Sequence, residues 1–410
     1  MAQHPRSPLA PPSFPEMPTI AGVTLHPHAA ALRYTGRPDL LLIEMPAGTT
    51  VGGVFTRSLC PSAPVDWCRQ ILGGGRARAL VCNAGNANAF TGAAGATSVQ
   101  AQVETLAAAL DVPGDQVYVA STGVIGEPLD DEAMTAALRG LAVSEPAAWP
   151  DAALAITTTD TFAKGAAASL PGGSVVGVAK GSGMIAPDMA TMLAFLCTDV
   201  AATADACQLA LAEAVGRSFN RITVDSDTST SDTVLLFATG GSDASRGVGP
   251  IDGPDHPGWA DFAAGVEAVC LDLAHQIVRD GEGATKFIAV QVDGAVSDDS
   301  AERIARSIAD SPLVKTAIAA EDANWGRFVM AVGKAGEPAD RDRLDLWIGD
   351  EPITAGGQAH PEYSEARADR FLQQDEITVR VDLHLGTGSA TVWTCDLTHG
   401  YIEINAGYRS

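Results

Sequence analysis

The feature that most constrains the fold is a glycine-containing loop, residues 180–190, that leads directly into an apolar run at 191–197. Gly181 and Gly183 permit backbone dihedral angles that other residues rarely adopt, and Pro187 fixes one φ angle. The apolar run is typical of a buried strand, which would hold its first residues rigidly. The sequence therefore predicts a constrained peptide immediately before a rigid threonine, Thr191.

This junction is suited to self-cleavage between Ala190 and Thr191. If the Thr191 hydroxyl attacks the Ala190 carbonyl carbon, the amide becomes an ester, and water then releases a chain that begins with Thr191. The new α-amine has a reference pKa of about 7.7 to 8.0, so part of it is a neutral base able to activate the adjacent hydroxyl. The local sequence also fits an ordinary glycine turn entering a core strand, and on its own it favours that simpler interpretation.

Composition excludes several classes of protein. The chain has 410 residues and a net charge of -24, without a dense Lys/Arg run, so nucleic acid is not an expected partner. Its seven cysteines are widely spaced and form no CxxC pair, which is typical of reduced thiols in a cytoplasmic protein. Residues 1–18 are rich in proline but lack an apolar core, which predicts a disordered tail rather than a signal peptide. No apolar run reaches the roughly 20 residues of a membrane span.

Helical and β-rich patterns are mixed along the chain rather than alternating strictly. Helical patterns lie at 96–110, 131–141, 204–215 and 262–279, and β-rich runs lie at 77–82, 116–120, 175–178, 233–237, 287–292 and 377–385. A doubly wound parallel sheet needs a stricter βαβ rhythm. The sequence therefore predicts a layered α/β fold with mixed or antiparallel sheets.

The common metal and nucleotide motifs are missing from the sequence. There is no HExxH pair, no GxSxG and no P-loop. Asp225, Asp227 and Asp232 lack the glycine and the distal glutamate of an EF-hand loop, and Asx turns explain them better. We therefore expect neither a metal ion nor a redox cofactor.

Eight segments, in order, resemble the ornithine acetyltransferase family, also called the bifunctional glutamate N-acetyltransferases of arginine biosynthesis. The segments are 54–57, 81–88, 121–126, 180–193, 218–224, 280–286, 311–317 and 405–410, of which 180–193 and 280–286 are the most specific. Departures are small, with Ser226 in place of a usual glycine and Ala320 and Ala323 in place of a usual glycine and proline.

The resemblance implies an αββα-type layered core built from two self-cleaved chains, residues 1–190 and 191–410, with a second α/β region in the carboxy-terminal half. It also implies a heterotetramer of two alpha and two beta chains. The cleavage would make Thr191 the first residue of the beta chain and its nucleophile.

The resemblance assigns the remaining site residues. Thr122 and Gly123 would form an oxyanion hole, although an ordinary Thr-Gly turn fits the local sequence. The substrate ligands would be Thr158, Lys180, Thr191, Glu282, Asn405 and Ser410. Most of these assignments leave alternatives open. The register within 157–159 is ambiguous, Lys180 also fits an ordinary solvated lysine, and Glu282 also fits a solvated helix-capping turn. Asn405 and Ser410 can act only if the carboxy terminus is docked.

The expected reaction is transfer of an acetyl group from N2-acetylornithine to glutamate through an acetyl-Thr191 intermediate. Acetyl-CoA is a possible second donor, although no short CoA-binding motif is visible. The alternative is an amino-terminal-nucleophile amidohydrolase or aminopeptidase, which would pass the acyl group from the same threonine to water. A noncatalytic amino-acid-binding protein is a third, weaker hypothesis.

Overall fold

The computed structural model describes residues 5–142, 144–186, 192–242 and 249–406. Ala190, Thr191 and Ser410 therefore lie outside the described residues. Within those ranges the strands are β1 Thr24–His28, β2 Leu40–Glu44, β3 Thr50–Phe55, β4 Ala79–Asn86, β5 Val117–Val124, β6 Lys164–Leu170, β7 Gly173–Lys180, β8 Leu193–Thr198, β9 Thr233–Ala238, β10 Phe287–Ala295, β11 Asp345–Ile348, β12 Glu351–Ala355, β13 Gln358–Ala359, β14 Glu376–Asp382 and β15 Gly388–Cys395.

The α-helices in the same ranges are α1 Ala63–Leu72, α2 Gly92–Leu110, α3 Asp131–Leu141, α4 Trp149–Ala155, α5 Ala204–Arg217, α6 Trp259–Arg279, α7 Asp298–Ala309, α8 Pro312–Ala319, α9 Trp325–Gly333, α10 Glu365–Leu372 and α11 His399–Ala406. None of these described helices is long and apolar enough to cross a lipid bilayer.

The chain forms two compact units. The larger unit comprises Pro11–Asn220 and Asp227–Ile277, and the smaller comprises Met1–Ala10, Arg221–Ser226 and Val278–Ser410. These units do not follow the predicted division at 190/191, because that division concerns cleavage of the chain rather than folding. The cleavage boundary stays a prediction.

The larger unit has two mixed sheets, ordered β1-β2-β4-β5 and β3-β9-β8-β7-β6. Alternate side chains of both sheets meet in one apolar core, in which Ile43 and Tyr118 of the first sheet pack with Phe195 and Phe237 of the second. The Tyr118 and Phe237 rings lie 6.1 Å apart, edge to face. The two sheets therefore pack against each other face to face.

Helices cover the outer faces of both sheets. On the first sheet, α2 and α3 pack against the strand residues that point away from the shared core. On the second, α5 approaches so closely that a Cβ at Gly52 would lie 2.6 Å from the Gln208 nitrogen, and α6 packs Val269 and Leu273 over Gly177. The predicted αββα layering is thus confirmed, and strands from both sides of residue 190 contribute to it.

The smaller unit is the predicted second α/β region. Its six-stranded sheet has the order β13-β12-β11-β14-β10-β15, with β10 and β14 parallel and the other pairs antiparallel. Ile304 and Ile308 of α7 and Phe328 of α9 pack with Val290 and Val379 of this sheet in one core. Both units therefore have mixed sheets, as the sequence predicts.

Residues 5–18, predicted to be part of a disordered tail, are irregular in backbone but make defined contacts. In the larger unit, the Trp149 indole N–H donates to the Pro18 carbonyl at 3.1 Å. The Phe14 ring lies over Gly165, where an added Cβ would come within 2.3 Å of it. Proline-rich composition by itself does not reveal such anchoring contacts of apolar side chains.

Candidate active site

Thr122 and Gly123 lie near the carboxyl end of β5, which pairs in parallel with β4. Gly123 has a φ of +130°, and a Cβ there would lie 2.2 Å from the Gly85 carbonyl carbon. Any other residue would therefore force the backbones of β4 and β5 apart. The Thr122 side chain is buried. The predicted oxyanion-hole residues thus occupy a backbone position that is fixed by close packing.

Lys180 is the last residue of β7 and is buried, at 2% exposure. Its ammonium donates a hydrogen bond to the Thr122 hydroxyl oxygen at 3.2 Å. Its backbone pairs with Leu193, which is two residues beyond Thr191 in the sequence. The structure therefore brings the predicted cation beside the predicted oxyanion-hole threonine and beside the strand that follows the predicted nucleophile.

Hydrogen bonds to residues at the start of β9 fix the chain where it enters β8. The Met192 N–H donates to the Asp232 carboxyl Oδ1 at 3.0 Å, and the Met192 carbonyl accepts from the Thr233 N–H at 3.2 Å. Every residue of β8 is buried, between β7 and β9. The predicted rigid strand after the glycine loop is confirmed, although Ala190 and Thr191 themselves lie outside the described residues.

Asp232 is buried in this contact, and burial raises its pKa well above the ordinary range, against the opposing effects of the Met192 N–H and Lys180. The protonated, neutral carboxyl is thus favoured in the folded protein. The sequence analysis assigned this residue to an Asx turn, which the structure corrects. The sequence gives one indication of its burial, because Asp232 stands directly before the apolar run that forms β9.

The three consecutive threonines before Asp160 have different hydrogen-bonding environments. The Thr157 hydroxyl accepts from Arg37 at 2.6 Å, and the Thr159 and Ser182 hydroxyls share a hydrogen bond of 2.6 Å. The Thr158 side chain is partly exposed, and its hydroxyl has no hydrogen-bonding partner among the residues that the structure describes. This difference favours Thr158 as the threonine available to a ligand.

In the smaller unit, Glu282 and Asn405 come together. The Asn405 side-chain amide donates to Glu282 Oε2 at 2.6 Å. Helix α11 packs on the Gly281–Gly283 turn so closely that a Cβ at Gly283 would lie 2.5 Å from the Tyr401 nitrogen, and the Thr398 hydroxyl donates to the Gly283 carbonyl. The carboxy-terminal region is thus docked through residue 406, as a role for Asn405 requires. Ser410 lies outside the described residues.

Comparison with known proteins identifies the family. The model of the ArgJ family matches residues 24–410. The chain is 53% identical over 409 residues to the arginine biosynthesis bifunctional protein ArgJ of Brucella suis biovar 1 (strain 1330), covering 98% of this chain and 99% of that protein. The protein of the same name from Gluconobacter oxydans (strain 621H) is 52% identical, with 99% and 96% covered.

The chain belongs to the ArgJ family. It is accordingly a bifunctional enzyme of arginine biosynthesis. Among solved structures, the arginine biosynthesis bifunctional protein ArgJ from Bacillus halodurans is 42% identical, with 52% of this chain and 98% of that chain covered and a TM-score of 0.49.

Two residues of this ArgJ-family site were missed by the sequence analysis, in addition to Asp232. Asp160 accepts hydrogen bonds from the Thr158 and Gly181 N–H groups. Arg37 donates to both the side chain and the carbonyl of Thr157 and stacks on the Tyr34 ring at 3.8 Å. Neither lies in a motif, and their roles depend on tertiary contacts between distant segments.

Proposed function

We propose that this enzyme is a self-processing acetyltransferase that transfers the acetyl group of N2-acetylornithine to glutamate through an ester on Thr191. The observation that carries the proposal is the position of Lys180. Its ammonium lies 3.2 Å from the Thr122 hydroxyl, while its backbone pairs with Leu193 at the start of β8. Membership of the ArgJ family supports the same reaction, because curated members are named bifunctional proteins of arginine biosynthesis.

The first step in this proposal is self-cleavage. The Thr191 oxygen forms a bond to the Ala190 carbonyl carbon, the bond to the Thr191 nitrogen breaks, and that nitrogen gains a proton to become an amine. Water then hydrolyses the ester, which returns the proton to the Thr191 oxygen and leaves a carboxylate on Ala190. The free α-amine then serves as the base for the hydroxyl.

The transfer reaction uses the same hydroxyl twice. The Thr191 oxygen attacks the acetyl carbonyl of acetylornithine, the amine of ornithine leaves with a proton, and an acetyl ester remains. The amine of glutamate then attacks that ester, forming N-acetylglutamate and restoring the hydroxyl. Donors at Thr122 and Gly123 would stabilise the negative oxygen of both tetrahedral intermediates, and removing one such donor typically lowers turnover by about 10² to 10³.

Charged and polar side chains would recognise the amino-acid substrates. In the larger unit, the Lys180 ammonium suits a carboxylate or a developing negative charge, and the Thr158 hydroxyl is available to a polar group. In the smaller unit, the Glu282 carboxylate suits an ammonium group, with Asn405 beside it. Ser410 completes the proposed ligands. The chemistry requires no metal ion or redox cofactor.

The mass of the purified protein tests the processing step. We expect wild type to give two chains, 1–190 and 191–410, whereas Thr191→Ala stays intact. Thr191→Ser keeps a hydroxyl and is the matched control, so it should still be cleaved. A full-length wild type, or a Thr191→Ala chain cut at the same bond, would contradict the mechanism. Native mass spectrometry of the same samples tests the proposed assembly of two alpha and two beta chains.

Steady-state kinetics test the transfer. Because ornithine must leave before glutamate reacts, double-reciprocal plots for acetylornithine and glutamate should be parallel. Acetyl transfer to glutamate should exceed release of free acetate; the reverse result would identify a hydrolase. Replacing acetylornithine by acetyl-CoA in the same assay tests the second donor. Intersecting plots, without an acetyl group trapped on the Thr191 peptide, would indicate direct transfer instead.

A further inference from the structure

The Asp160 carboxylate accepts hydrogen bonds from two donors in its own segment, at Thr158 and Lys164, and from one donor in a distant segment, at Gly181. Its side chain is inaccessible to solvent. Oδ1 accepts from the Lys164 ammonium at 2.6 Å and from the Gly181 N–H at 2.7 Å, and Oδ2 accepts from the Thr158 N–H at 3.0 Å. A carboxylate accepts hydrogen bonds without donating any, so the ionised form suits all three partners.

These donors belong to the segments that carry two proposed substrate ligands. Thr158 itself provides one backbone N–H, and Gly181 directly follows Lys180. The Thr159–Ser182 hydrogen bond joins the same segments a second time. The relative placement of the Thr158 hydroxyl and the Lys180 ammonium therefore depends on Asp160, although Asp160 belongs to no motif of the sequence.

Neighbouring cations keep this carboxylate charged. Burial alone would raise the pKa of Asp160, but Lys164, Lys180 and the Gly181 N–H outweigh that effect and lower the pKa below its ordinary range. Lys164 is fully buried, and its ammonium also lies 4.7 Å from the Phe162 ring centre. A buried ion pair is costly to break, because the remaining partner is left as an uncompensated charge.

We propose that Asp160 is a positioning residue that joins the Thr158 segment to the Lys180–Gly181 turn and so fixes both ligands for the acyl donor. The proposal rests on the acetyltransferase function given above. Asp160 acts through the two ligands whose segments it joins, and its described hydrogen-bond donors are Thr158, Lys164 and Gly181. Lys164 acts as its counter-ion, and the pair is required for geometry rather than for chemistry.

Two variants separate positioning from simple charge balance. Asp160→Asn removes the negative charge that pairs with the Lys164 ammonium, and its amide N–H₂ replaces one of the two oxygens that accept hydrogen bonds. Asp160→Asn combined with Lys164→Met removes both charges together. We expect the single variant to lose thermal stability and kcat/KM, and the double variant to recover stability while kcat/KM for acetylornithine stays about ten- to a hundredfold below wild type.

Asp199→Asn is the matched control, since Asp199 accepts the Ser174 N–H at 2.8 Å at the opposite end of the β7–β8 pair. It should keep wild-type kcat/KM.

Amide hydrogen exchange gives a readout that does not depend on activity. Exchange should increase at Thr158 and Gly181 in the double variant but not in Asp199→Asn. A double variant with wild-type kcat/KM and unchanged exchange at those two amides would overturn the role of Asp160. A wild-type enzyme that transfers no acetyl group would overturn the proposed function instead, and the exchange data alone would then decide whether Asp160 joins the two segments.

Discussion

Replacing Gly123 by alanine is the sharpest test of the proposed oxyanion hole. The backbone at this position has a φ of +130°, a conformation that residues with a Cβ rarely adopt. The added methyl group would lie 2.2 Å from the carbonyl carbon and 2.5 Å from the Cα of Gly85, and 2.6 Å from the Asn86 nitrogen. All three atoms belong to the backbone, so the clash cannot be relieved by turning a side chain. The ends of β4 and β5 must move.

The size of the effect follows from that movement. Separating the Cβ from the Gly85 backbone to ordinary contact requires a shift of roughly 1 Å or more, and misplacement by 1 Å can reduce a reaction about a hundredfold. Loss of one donor to the oxyanion gives about 10² to 10³. We therefore expect Gly123→Ala to lower kcat for acetyl transfer by about a hundredfold or more. Overpacking should also reduce the free energy of unfolding by about 1 to 3 kcal/mol.

Gly126→Ala is the matched control for backbone strain. Gly126 follows the same strand and has a φ of +84°, but an added Cβ would meet no atom within 4 Å. It should lose some stability through strain while kcat stays close to wild type. Both variants should be assayed as acetyl transfer per cleaved molecule, with cleavage measured by intact mass. A Gly123→Ala enzyme with the same kcat as Gly126→Ala would refute the assignment of Gly123 to the oxyanion hole.

Two further predictions concern carboxyl groups. Glu282→Gln keeps an oxygen that can accept from Asn405 but removes the charge, so kcat/KM for acetylornithine should fall tenfold to a few hundredfold. Glu376→Gln is the control, because Glu376 is an exposed partner of Arg279, and it should have no effect. Unchanged kinetics would return Glu282 to a capping role. Burial raises the pKa of Asp232, so the folded protein keeps a proton that the unfolded chain releases above about pH 4. Between the pKa of Asp232 in the unfolded chain and its pKa in the folded protein, this group should lower the free energy of unfolding by about 1.4 kcal/mol for each unit of rising pH. Urea unfolding at pH 4 to 6 in an uncleaved Thr191→Ala background should show that Asp232→Asn removes the contribution of Asp232 to the pH dependence of stability. The same pH dependence in Asp232→Asn and in its parent would contradict this prediction.

The sequence predicted the elements that have strong periodicity or clear boundaries. The helical pattern at 131–141 corresponds to α3 at the same residues, and the β-rich run at 233–237 corresponds to β9 Thr233–Ala238. Helix α6 ends at Arg279 and β10 begins at Phe287, which leaves Glu282 in the predicted turn. Short edge strands such as β13 Gln358–Ala359 have too few residues for a two-residue alternation to be recognised.

The predictable part of the site is the part encoded in contiguous residues. The glycine loop and the apolar run after it indicate a constrained entry into a strand, and the described start of β8 agrees with that interpretation. Asp160, Asp232 and Arg37 became apparent only in the structure. Each of these residues forms a hydrogen bond with a segment that is distant in the sequence. A single aspartate or arginine outside a motif does not indicate which distant residue it will contact.

The topology also bears on what self-cleavage would do to the fold. Cutting between Ala190 and Thr191 would separate β7 from β8 along the chain, but these strands remain paired from Lys180–Leu193 to Val175–Thr198. Strand β9, also after the cut, pairs with β3, which precedes it. The apolar core between the two sheets draws side chains from both chains as well. Cleavage at this bond would therefore break no described strand and no described pairing, so the two products should stay associated as one folded core.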